Sequence, residues 1–136
     1  MDKNIALLKW SLLAGSVYFA LVAVVHMLGI KAPGLFIYFN VPSFGYQDKI
    51  ISFLSLGWSI FLYTAFLNPV KNIDLIKAIL VAGMGAILGL CIINLSTDFT
   101  VLSDKINVAV FWWEVLCLGI YLTWLIFFYR QVKNNL

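Results

Sequence analysis

WSLLAGSVYFALVAVVHMLGI, residues 10–30, is an unbroken run of twenty-one residues without a single Asp, Glu, Lys or Arg. A helix rises 1.5 Å per residue, so a run of about 20 apolar residues matches the hydrocarbon thickness of a bilayer. The basic residues before it, Lys3 and Lys9, imitate the start of a signal peptide. The apolar stretch is too long for the core of an ordinary signal, and the reading is a retained membrane helix.

The rest of the chain repeats the pattern. Residues 50–67 form a second apolar run, stopped by Asn68-Pro69, because proline cannot continue a helix without losing a hydrogen bond. A third covers about 75–95, with Asn72 as its expected N-cap and Asp74 in its first turn. A fourth covers about 106–129. The expectation is one all-α integral membrane domain over residues 1–136, a four-helix transmembrane bundle with a long aromatic outer segment between helices 1 and 2.

Composition agrees. The chain is 63% hydrophobic and 11% charged, with mean hydropathy +1.00. A soluble domain is roughly half apolar and a quarter charged, and so few charges cannot cover a water-exposed surface. The nine Lys and Arg are scattered, so no basic run points to nucleic acid. Cys91 and Cys117 lie in separate apolar runs and form neither a CxxC nor a metal-ligand spacing. They read as small hydrophobes in helix packing.

Four spans place both termini and the 68–74 connection on one side. That side carries Lys3, Lys9, Lys71, Lys77, Arg130 and Lys133, against Lys31, Lys49 and Lys105 opposite. The positive-inside rule then puts both termini in the cytoplasm. Size and simplicity suggest a bacterial inner membrane. Ala78, Ala82 and Ala86, with Gly85 and Gly89, form small-residue faces of the kind that let helices approach closely, within the bundle or between copies.

Polar residues inside the spans are few, and such residues usually face the bundle interior. His26, the only histidine, lies about 6 Å below the outer end of its span, and Glu114 roughly 12 Å below the start of the fourth. Asn94 is near the outer end of the third. Asp48, Ser52, Ser55 and Ser59 are spaced by four, three and four, which stacks them on one helix face, opposite Ile50, Phe53, Leu54 and Phe61. The serines themselves read as packing residues bonded to their own helix backbone. All these groups fall in the outer half, giving an expected pocket lined by His26, Asp48, Ser52, Ser55, Asn94, Glu114 and Tyr121, with Trp113 beside it.

Residues 31–49 roof this layer. A connection longer than about 12–15 residues is usually functional or disordered, and GLFIYFNV is too apolar for disorder. It reads as either an interfacial anchor or a lid between the stiff corners Pro33 and Pro42.

Three functions are open at this point. The bundle binds a lipid-like or amphipathic ligand, or serves as accessory subunit of a larger membrane complex. Alternatively, Glu114 and His26 are an acid–base pair of a membrane-embedded enzyme acting on a lipid-soluble substrate, which requires them within hydrogen-bond reach. The third reading is a small proton-coupled transporter, oligomeric, with Glu114 as coupling group. No cofactor is indicated and no metal site is expected, the co-ligands for His26 being absent.

In size and in its one deep carboxylate the chain resembles the small multidrug-resistance transporters, but their glutamate is in the first helix and Glu114 is in the fourth. The plan of four short spans looks like that of the DoxX-like group without a shared motif. The missing CxxC excludes the vitamin K epoxide reductase pattern.

Overall fold

The computed structural model describes residues 3–104 and 106–135. Four helices run along the chain: α1 (Lys3–Leu28), α2 (Gly45–Leu67), α3 (Ile73–Ser96) and α4 (Val108–Asn134), with a short 3-10 turn at Phe99–Val101 before α4. Each is long and apolar enough to cross a membrane, and no strand occurs among the described residues. The chain is a four-helix bundle of the multi-pass membrane kind. Each helix packs on its neighbours in sequence, α1 most closely on α2, and α4 closes the ring against α1.

The helices outrun the apolar stretches that announce them. α1 starts at Lys3 and α4 continues to Asn134, because the polar residues flanking the spans include no helix breaker. The ends are set by specific devices. Gly29, at φ +68°, adopts the left-handed conformation that ends α1; its N–H donates to the His26 carbonyl at 3.2 Å, and Ile30 N–H to the Val25 carbonyl at 2.8 Å. These two bonds make a Schellman cap. Asn107 caps α4, its Oδ1 accepting from Ala109 N–H at 3.1 Å.

Asn72 corrects an expectation. It stands at the N-cap of α3, yet its side chain makes no cap bond there. Its amide instead donates to the Thr64 and Asn68 carbonyls, both at 3.0 Å, satisfying the end of α2 that Pro69 interrupts.

The bundle is divided lengthwise. At the end carrying the termini, Leu8, Leu12, Leu62, Ile76, Leu125 and Val132 are almost fully buried in one apolar core. At the other end polar and aromatic groups, His26, Asp48, Asn94, Phe36, Phe99 and Phe111, are buried beside the aliphatic Val22, Ala23 and Val115. Ile50, Phe53, Leu54 and Phe61 point out of the bundle. So do Ala78, Ala82 and Gly85, so most of the small-residue face of α3 is not used within the bundle.

Candidate functional site

The outer segment folds over the bundle as a lid and is fastened to all four helices. On α1, Tyr18 Oη donates to the Gly34 carbonyl at 2.9 Å, and the His26 ring stacks on Phe36 with centroids 3.7 Å apart. On α2, buried Asp48 accepts from Lys31 Nζ at 3.2 Å and from Ser43 Oγ at 3.0 Å. On α3, Asn94 Oδ1 accepts from Tyr38 Oη at 2.9 Å. On α4, Glu114 Oε1 accepts from the Gly34 backbone N–H at 2.7 Å. Lys31 Nζ also lies 4.0 Å from the Phe36 centroid, so a cation–π contact joins the stack. Tyr38 packs on Phe99 and Phe111, and burial pushes its phenol up to about 12, which keeps it a protonated donor to Asn94.

Beneath the lid the expected single pocket is two distinct places. The first is a seam between α1 and α2. Ser52 Oγ donates to the Ala23 carbonyl at 2.8 Å. Ser16 and Ser59 exchange bonds, each hydroxyl donating to the other's backbone carbonyl, at 2.9 and 2.8 Å. Ser52 and Ser59 of the stripe therefore bond across to α1, not to their own helix. Ser52 and Ser55 are buried in this seam and line neither of the two cavities that follow.

The second place is a groove of about 650 Å³ between α1 and α4. Ala14, Gly15 and Tyr18 form one wall; Trp113, Cys117, Leu118 and Tyr121 form the other. Gly34 and Pro33 of the lid close the end where Glu114 stands. Ala14, Trp113 and Cys117 are exposed, so the mouth opens sideways along the spans. Tyr121 Oη donates to the Ser11 carbonyl at 2.9 Å, and Trp124 Nε1 donates to Ser11 Oγ at 2.9 Å. A smaller space of about 170 Å³ lies among Phe19, Leu62, Ile79 and Leu122 and shares Leu118 and Tyr121 with the groove.

The acid–base pair expected of His26 and Glu114 is not assembled. Glu114 faces the α1–α4 groove and takes its bond from Gly34; His26 is buried under Phe36 beside the α1–α2 seam. The two share a depth but not a side of α1. Of the residues expected to line one pocket, Glu114, Trp113 and Tyr121 are brought together. Asp48 and Asn94 hold the lid instead. Tyr18 and Gly34 belong to the groove and were not anticipated; Cys117, expected as a small hydrophobe in helix packing, is instead exposed on the groove wall. Gly34 contributes through its backbone, which no side-chain pattern announces.

Among the described residues, three side-chain atoms are buried without a hydrogen-bond partner: His26 Nδ1, Asn94 Nδ2 and Glu114 Oε2. Buried polar atoms without partners are uncommon in native proteins and call for an explanation. Only Glu114 lines one of the two cavities. Among the described residues no three of His, Cys, Asp and Glu converge as a metal-binding group.

No protein-family model matches the chain, and no curated protein or solved structure is significantly similar to it. The functional reading rests on these residues.

Proposed function

We propose that this protein binds a lipid-like, amphipathic molecule in the groove between α1 and α4, with the apolar part of the ligand along the spans and its polar end under the lid at Glu114. The single observation that carries this reading is a cavity of about 650 Å³ with carbon-rich walls, a sideways mouth and one carboxylate at its closed end. Ligand sites are typically about 300–1,000 Å³, mostly apolar, with few polar groups that fix orientation. A mouth at membrane depth admits molecules from the bilayer and not from water. In the orientation favoured by the basic residues, the lid end faces outward and both termini lie in the cytoplasm. A small multi-pass protein of a bacterial inner membrane fits this description.

Native mass spectrometry after extraction in a gentle detergent tests the reading. The wild type should carry a retained amphiphile. Ala14→Trp, which places an indole in the groove mouth, should lose it while circular dichroism stays unchanged. Bare wild-type protein, or equal retention by both proteins, would refute the reading.

A further inference from the structure

We infer that the groove selects amphiphiles whose head is a protonated amine, bound by Glu114 Oε2. This deepens the reading above and rests on it. The inference comes from counting donors and acceptors at the closed end. The two donors that bond at this corner are both committed: Gly34 N–H on Glu114 Oε1, and Tyr18 O–H on the Gly34 carbonyl. Acceptor capacity is left over. Glu114 Oε2 is buried with no partner, and Tyr18 Oη donates its proton but keeps its lone pairs.

A head group that partners Glu114 Oε2 must donate to it, since a carboxylate oxygen only accepts. A ketone, ester or quinone carbonyl offers only more acceptors. A carboxylate or phosphate adds like charge to a carboxylate that already lacks a counter-ion. No cationic side chain pairs with Glu114 among the described residues; the ion pair they contain is Lys31–Asp48, at the head of α2. A buried carboxylate with no opposite charge is costly, and a ligand ammonium supplies both the charge and the missing donor. An ammonium has three N–H groups, enough to reach Glu114 Oε2 and Tyr18 Oη together. The apolar walls below, from Cys117 and Leu118 down to Tyr121, then take the chain.

The experiment uses the full-length protein in nanodiscs and three single-chain probes of equal length, an alkylamine, an alkyl methyl ketone and an alkyl carboxylate, with bound probe counted by native mass spectrometry at neutral pH. The wild type should prefer the amine over the ketone by about tenfold, the value of one charge-assisted hydrogen bond, and should exclude the carboxylate. Glu114→Gln keeps an oxygen for Gly34 N–H and should reduce the preference to under about twofold by removing the charge. Near-UV circular dichroism checks that this variant keeps its fold, and the wild-type ranking of the three probes stands without it. If the wild type binds amine and ketone equally, the head-group inference is overturned while groove binding survives. If Ala14→Trp leaves amine binding unchanged, the groove reading itself falls.

Discussion

The backbone N–H of Gly34 sits 2.7 Å from Glu114 Oε1, which ties a left-handed turn of the lid, at φ +81°, to the carboxylate that ends the groove. One residue thus closes the cavity and presents its polar end. Glu114→Ala should free the lid while leaving the bundle folded, at a cost of about 1 kcal/mol for the lost bond, since the exposed Gly34 N–H can then reach water. Glu114→Gln should retain most of that stability. Hydrogen exchange across residues 29–44 reads the difference: faster in the alanine variant, near wild type in the glutamine variant. Equal exchange in all three proteins would refute this tie.

The reciprocal bonds between Ser16 and Ser59 predict coupled losses. Ser16→Ala or Ser59→Ala should each cost about 0.5–1 kcal/mol, the range of hydrogen bonds between membrane helices. The double variant should cost less than the sum, since the two hydroxyls bond one another's helices at a single crossing. Reversible unfolding in mixed micelles measures the cycle, and strict additivity would contradict it.

Gly15 faces Tyr121 so closely that a Cβ there would collide with the phenol oxygen and lie 2.8 Å from Cζ. Gly15→Ala should displace the ring, break its bond to the Ser11 carbonyl and destabilise by roughly 1–3 kcal/mol. Adding Tyr121→Ala should make the alanine at 15 nearly neutral relative to Tyr121→Ala alone. A Gly15→Ala cost that persists in the Tyr121→Ala background would place the strain elsewhere.

The Lys31–Asp48 pair is lopsided: the lysine side chain is 36% exposed and the aspartate 7%. Removing Lys31 strands a charge that cannot rehydrate, whereas removing Asp48 leaves an ammonium that can reach water. Lys31→Met should therefore cost about 1–3 kcal/mol and Asp48→Ala less, although the latter deletes more bonds. Thermal midpoints in one detergent settle the order, and the reverse ranking would count against burial as the cause.

The four spans were legible because membrane thickness makes run length diagnostic. The depth of the polar layer was legible too, since rise per residue is fixed. Rotation was not. His26 and Glu114 fall in one layer, but which side of α1 each meets depends on packing that depth cannot encode. The face shared by Ser52, Ser55 and Ser59 was readable from spacing. That Ser52 and Ser59 bond carbonyls of α1 was not, because every residue carries a carbonyl. That residues 31–49 form a segment of their own was recognisable by length and aromatic content, but anchor and lid were equally readable from it. Its fastening through Gly34 N–H and through the faces of Phe36 left no signature in residue type.

A strap held by a polar bond or ring stack to each of four helices makes their spacing a shared quantity. Gly34 by itself spans the gap between α1 and α4, its carbonyl held by Tyr18 and its N–H by Glu114, so the width of the groove is written into the position of one residue of the strap.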